Sequence, residues 1–201
     1  PNAKPTIGPF IKNGFYYDFD MESTLSDDDL ANIEKKMKEI LSEGRNFLKR
    51  AVTKKEASEI FKDNKYKLEL INNLDNSDEI TLYEQKNFTD LCKGPHHKST
   101  KDYNASFKIT NVSGAYWRGI STNKMLQRIY ATAWYSEKEL RVYLKNLEEA
   151  KERNHRRLGT DMGLFLLTDL SAGNVFWKDK GLTLYQNLSL IHISEPTRQF
   201  R

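Results

Sequence analysis

Gly114-Ala115-Tyr116-Trp117-Arg118-Gly119, running on to Met125-Leu126-Gln127-Arg128-Ile129-Tyr130, is the stretch whose reading decides the fold. It mixes aromatic and β-branched residues with glycines, as strands parted by a turn do. Working outward, residues 66–71, 79–84, 105–112, 115–119 and 128–134 all read as short strands separated by Asn, Asp, Gly and Ser. Ala105, Phe107 and Ile109 alternate with polar neighbours, the pattern of a half-buried strand. Toward the N-terminus, Ile7, Phe10 and Ile11 surround Gly8-Pro9, and Gly14 leads into Phe15-Tyr16-Tyr17, predicting a strand or hairpin pair. Ser26-Asp27-Asp28-Asp29 supplies an N-cap and a first-turn negative charge for a helix carrying Leu30, Ile33, Met37, Ile40 and Leu41 to about Gly44. Thr53-Lys54-Lys55-Glu56 is a capping box for a shorter helix with Ala57, Ile60 and Phe61. Ser136-Glu137-Lys138-Glu139 opens a long helix through Leu140, Tyr143, Leu144 and Leu147, ending in Arg153, His155, Arg156 and Arg157. The predicted class is α+β: an antiparallel sheet flanked by helices, followed by a long helix.

A chain of 201 residues has room for one domain of ordinary size plus a fragment. With 38% hydrophobic and 30% charged residues it falls in the globular class and not the disordered one. No apolar run approaches the roughly 20 residues that span a bilayer, so no membrane partner is expected. Pro1-Asn2-Ala3-Lys4-Pro5 has no apolar core behind it, and a single cysteine makes no intrachain disulfide. Both fit a cytoplasmic protein. The net charge of +4 is spread in mixed sign; it permits RNA binding without demanding it.

Asp90-Leu91-Cys92-Lys93-Gly94-Pro95-His96 gathers a carboxylate, a thiol and an imidazole within seven residues. Taken alone, it allows three readings. Cys92 packs beside a turn with His96 exposed; or the pair is half of a zinc site, although zinc takes about four ligands and the other histidines are His97, His155 and His192; or Cys92 is a nucleophile activated by a histidine. The aromatic and basic residues of the opening stretch read two ways as well. Arg118, Lys124 and Arg128 suit phosphates while Tyr116 and Trp117 suit base stacking, or all five belong to a core strand with paired arginines. Strand alternation sends one of Tyr116 and Trp117 inward.

These two segments, with Ile7-Gly8-Pro9, Gly14-Phe15-Tyr16-Tyr17-Asp18 and residues 125–134, resemble the editing domain of the bacterial threonyl-tRNA synthetases over about residues 1–185. The resemblance implies the fold of the second additional domain of the threonyl and alanyl enzymes. It implies an editing domain at 1–135, a connecting helix at 136–157 and the start of a class II aminoacylation domain at 158–188. Gly173-Asn174-Val175-Phe176-Trp177 and Lys180-Gly181 carry the last of these. Residues 189–201 depart from the family and are expected to be a non-native tail resembling translated adapter sequence. Cys92 and His96 match the C-x-x-x-H half of the editing cleft, and Lys67 and Asp90 match two further polar positions. The H-x-x-x-H half lies in the family just upstream of Pro1, so the chain is expected to hold half the cleft and to be inactive alone.

The family attaches threonine to tRNA(Thr) using ATP, and its editing domain hydrolyses mischarged seryl-tRNA(Thr). A methyl group discriminates by only about 1–3 kcal/mol in a pocket, which is why a second, sieving site is needed. In that chemistry His96 is the base or water-orienting group and Lys67 meets developing negative charge. Asp90 orients His96 or binds the α-ammonium of serine. The resemblance implies no metal or cofactor in this segment, with ATP, magnesium and zinc in the aminoacylation domain beyond it. The implied partners are the acceptor end of tRNA(Thr) and a second subunit joined through that domain. The alternative is a non-catalytic module that binds the acceptor end and links domains.

Overall fold

Ser26, Thr53 and Asn64 each begin a helix, and the three helices organise the first part of the chain around its strands. The computed structural model describes residues 3–75, 79–103 and 106–194. Ala105 and residues 195–201 of the expected tail lie outside these. The chain divides into two units, Pro1–Arg141 and Val142–Arg201.

In the first unit, β1 (Lys4–Pro5) and β2 (Phe10–Ile11) both pair antiparallel with β3 (Gly14–Asp20). The larger sheet continues through β8 (Met125–Trp134) to β7 (Ser106–Tyr116), all antiparallel. A bulge between Ile109 and Asn111 shifts the register of the long β7–β8 hairpin, so the side chains beyond it change face. A second antiparallel sheet runs β4 (Leu48–Val52), β5 (Ile80–Gln85), β6 (Phe88–Leu91). Helix α1 (Asp27–Ser42) starts with a closed capping box between Ser26 and Asp29. Its buried Glu34 binds Lys38 and Lys108 and accepts from the Ile109 amide, tying the helix to β7. Burial opposes ionisation of Glu34, but those donors outweigh it and hold its carboxyl below the usual range.

Helices α2 (Lys54–Ile60) and α3 (Lys65–Asn72) pack on the smaller sheet through Ala57, Ile71 and Ile80, with Val52, Phe61, Leu74 and Leu91 around them. The other side of α3 turns Tyr66 into a second cluster with Trp117 and Leu126 of the hairpin. Thus α3 joins the two sheets, and the side chain between these contacts is Lys67. Ile71 is fully buried in this junction. Ile71→Ala is expected to cost about 2–5 kcal/mol, read as a lower urea midpoint; a loss under 1 kcal/mol would show that α3 does not hold the sheets together.

Residues 66–71 form a helix where the sequence suggested a strand. Tyr66, Leu68 and Leu70 alternate, but the Asn64 side chain accepts from the Tyr66 and Lys67 amides and starts a helix there. Burial then follows the helical pairing of Lys67 with Ile71. The strand expected at 115–119 ends at Tyr116, and Trp117–Gly119 form a 3₁₀ turn. Strands β4 and β6 are additions to the sequence reading.

The long helix beginning after Ser136 is α4 (Glu137–Glu152), followed across a short break by α5 (His155–Asp161). Asn154 makes the break by accepting from the Arg156 amide. His155, Arg156 and Arg157 therefore open α5 and do not close α4. In the second unit, β9 (Phe165–Leu166) pairs with β10 (Phe176–Trp177). Trp177 meets Phe165 edge-on and Tyr185 of α6 (Asp179–Ser189). Residues of the expected tail extend α6 as a π turn, Leu190–Ser194, with Leu190 and Ile191 exposed.

Candidate active site

The register of the smaller sheet sets Asp90 of β6 opposite Tyr83 of β5. Cys92 follows the strand and stays tied to β5: its amide donates to the Thr81 carbonyl, and the Thr81 hydroxyl donates to the Cys92 carbonyl. The chain then turns back. The Gly94 amide donates to Cys92 Sγ at 3.3 Å, and His96 Nε2 lies 3.1 Å from the same sulfur. Gly94 has φ +75°, and a side chain there would run into the Tyr83 hydroxyl. Glycine therefore answers both a backbone and a space requirement. The half-buried thiol and the imidazole are within reach of a direct proton exchange.

His96 is exposed at the cavity mouth, yet its ring packs on Tyr83 at 4.3 Å and nearly parallel to Phe47 at 5.3 Å between centroids. Partial burial, with a smaller contribution from His97, lowers its pKa below the ordinary histidine value. The neutral ring is therefore the resident form at pH 7, as a proton acceptor requires.

Across the cavity Lys67, on the first turn of α3, is buried and paired with Asp90 Oδ1 at 2.5 Å. The Tyr17 hydroxyl of β3 donates to Asp90 Oδ2, and Lys67 Nζ is 3.5 Å from that hydroxyl oxygen. Burial first, and the Asp90 charge next, push the Tyr17 pKa well above the ordinary value, so the hydroxyl stays a donor. Asp90 Oδ1 also accepts from the Leu91 amide. Lys67, Asp90, Cys92 and His96 line one cavity of about 720 Å³, whose apolar wall includes Ile7, Phe10 and Phe88. That volume is in the range of small-molecule sites.

One expected contact is replaced. Asp90 spends its carboxylate on Lys67, Tyr17 and a backbone amide, while His96 rests on aromatic rings. Tyr17, Tyr83 and Phe47 were not among the site residues expected from the sequence. Tyr17 stands in a quoted motif, but no spacing tells that β3 faces β6, 73 residues away. Among the described residues no group of three or more His, Cys, Asp or Glu side chains assembles as a metal site. Among the described residues, Cys92 and His96 therefore have no third His, Cys, Asp or Glu beside them to build a metal site.

The residues expected to meet RNA separate into two sets. Trp117 is buried, its indole donating to Glu69 and its ring edge-on to Tyr66 at 5.0 Å. It is a core residue and not a stacking platform. Arg128 is held by both oxygens of buried Asp18 and lies over the Tyr16 ring at 3.9 Å. It joins β8 to β3 and is not free for phosphate. Tyr116, Arg118 and Lys124 stay accessible near the hairpin end, with Arg118 paired to Glu69 and Lys124 to Asp20. No helix among the described residues is long and apolar enough to cross a membrane.

Residues 80–130, which hold β5, β6, the Cys92–His96 turn and most of the hairpin, match the threonyl and alanyl tRNA synthetase second additional domain. The chain is 50% identical over 190 residues to a threonine–tRNA ligase of Wolbachia sp. subsp. Brugia malayi, covering 94% of this chain and 30% of that protein. It is 50% identical over 183 residues to the Borrelia duttonii threonine–tRNA ligase, covering 90% of this chain and 31% of that protein. Against the Ehrlichia chaffeensis threonine–tRNA ligase it is 47% identical over 188 residues, 92% of this chain and 30% of that protein. The chain spans about 30% of the length of these relatives, and the likeness is to a segment of the threonine–tRNA ligases that includes the second additional domain.

Proposed function

We propose that this segment is the proofreading part of a threonine–tRNA ligase and hydrolyses seryl-tRNA(Thr) in the cavity between Lys67 and His96. The observation that carries the reading is the pairing of a neutral His96 with Cys92 at 3.1 Å in a cavity that also holds the Lys67–Asp90–Tyr17 group. His96 takes a proton from water as the water oxygen attacks the ester carbonyl carbon. The carbonyl electrons move to oxygen, where the Lys67 ammonium stabilises the charge. As the intermediate collapses, the bond to the ribose oxygen breaks, and that oxygen receives the proton from His96. Serine and tRNA(Thr) are released. Cys92, with one lone pair already engaged by the Gly94 amide, shapes the water position. Tyr116, Arg118 and Lys124 meet the acceptor-end backbone.

The remainder of the ligase supplies the other half of the cleft and the aminoacylation site with its ATP, magnesium and zinc. It also supplies the homodimer contact. Protein synthesis places the whole in the cytoplasm. The test exchanges residues 1–188 for the corresponding part of the Borrelia duttonii ligase, so that the flanking parts of a whole enzyme are present. Single-turnover deacylation with excess enzyme is expected to be fast for seryl-tRNA(Thr) and slower by at least tenfold for threonyl-tRNA(Thr). Equal hydrolysis of both esters would mean that the cavity is no sieve, and an RNA-binding module would be the better reading.

A further inference from the structure

A histidine acting as a base needs something to hold its ring, and the residue expected to do so, Asp90, is occupied elsewhere. Among the described residues the only side-chain hydrogen bond of His96 is to Cys92 Sγ. Its ring contacts are with two aromatic side chains. Phe47 lies nearly parallel to it, with 24° between planes, and Tyr83 lies closer and tilted by 54°.

The backbone fixes both rings. The Phe47 amide donates to the Lys98 carbonyl at 2.9 Å, two residues beyond His96. Asn46 bridges Ser99, and the Arg45 amide donates to the Thr100 side chain. Residues 45–47 are thereby fastened along the segment that leaves His96. Tyr83 is in the centre strand of its sheet, opposite Asp90, and its hydroxyl end fills the space beside Gly94. One ring is set by the segment after His96 and the other by the turn before it.

We propose that Phe47 and Tyr83 are positioning residues that hold the His96 imidazole beside Cys92, the part an orienting carboxylate plays in other hydrolases. This rests on the hydrolytic reading given above. Rings and carboxylate differ in one consequence. A carboxylate beside the imidazole favours its protonated form, whereas covering it with apolar surface favours the neutral one. Cys92 and Tyr83 lie against the His96 ring and His97 beside it, while Lys67, Asp90 and Lys93 line the same cavity, with the Asp90 carboxylate held by Lys67 and Tyr17 and not by His96. A clamp of rings therefore orients the base while leaving it unprotonated near pH 7.

The test uses the whole chain with labelled histidine. In the wild type, NMR is expected to show contacts from the His96 ring to both aromatic rings and a titration below the ordinary value of about 6.5. Phe47→Leu, Tyr83→Leu and the double variant are expected to lose the contacts and move the titration upward toward that value. Tyr83→Phe keeps the ring and is expected to keep both. Iodoacetamide alkylation of Cys92 against pH reports the same change without tRNA. In the exchanged ligase, the leucine variants are expected to lose roughly ten- to a hundredfold in single-turnover rate, with the acid limb shifted to higher pH. Circular dichroism establishes that each variant is folded, and half-exposed Phe47 is the milder substitution if Tyr83→Leu is not. An unmoved titration and acid limb in folded Phe47→Leu, or a Tyr83→Phe as impaired as Tyr83→Leu, would overturn the clamp. Wild-type enzyme without deacylation, but with the ring contacts and titration as described, would instead overturn the hydrolytic reading and leave the clamp standing.

Discussion

His96→Ala is expected to lower the single-turnover rate of seryl-tRNA(Thr) deacylation by roughly two to four powers of ten in the exchanged ligase, because in the proposed mechanism the variant has no group to accept the proton of the attacking water. Ester binding is expected to change little, since the methyl group left at residue 96 blocks nothing. Cys92→Ser is expected to be much milder. Its hydroxyl keeps a polar atom near His96 Nε2, whose 3.1 Å contact with Sγ sets the water position in this reading. Undiminished hydrolysis by His96→Ala would remove His96 from the mechanism. A Cys92→Ser loss of the same size, with a trappable covalent seryl-enzyme in the wild type, would make Cys92 the nucleophile.

The pH dependence follows from the lowered His96 pKa. The unfolded chain binds the His96 proton at a higher pH than the folded chain does. Stability from this group is therefore fully present above about pH 6.5 and is lost as pH falls through the folded value. The deacylation rate is expected to have its acid limb in the same place, below the ordinary histidine value.

Asp90→Asn is the second large effect, and it acts on the fold. It leaves the Lys67 ammonium, only 3% exposed, without its counter-charge at the junction of the two sheets. Removing one partner of a buried pair costs about 3–5 kcal/mol. The Lys67→Met/Asp90→Leu double variant removes both charges and is expected to recover most of that stability while losing activity. Urea denaturation of the three proteins checks it. A cost below 1 kcal/mol for Asp90→Asn would show that water reaches Lys67 and that the pair is a surface one. Tyr17 adds an alkaline limit: its folded pKa is raised. The stabilisation is complete below the ordinary tyrosine value of about 10 and falls as pH rises beyond it.

Local chemistry made much of this legible in the sequence. The caps expected at Ser26 and Thr53 are closed by residues three positions away, and both helices begin where those caps predict. The Cys92–His96 pair is also local, since a turn of five residues is enough to bring sulfur and imidazole together. Residues 66–71 misled because alternation and helical spacing coincide over so short a run; the Asn64 cap decides between them only when its hydrogen bonds are seen.

The roles of individual charges were decided by distant strands. Lys67 and Asp90 are 23 positions apart, and Tyr17 is 73 positions from Asp90, so their meeting depends on α3 lying between two sheets. The same packing took Trp117 into the core and Arg128 onto Asp18, which no composition or motif reveals. By itself the sequence determined the likeness to the family, the α+β class, the starts of α1, α2 and α4 and the thiol–imidazole pair, because each rests on near neighbours or on a motif run. Only the tertiary structure decided that Asp90 serves Lys67 and that aromatic rings serve His96. A side chain takes the partner that packing brings within about 3–5 Å, whatever their separation along the chain.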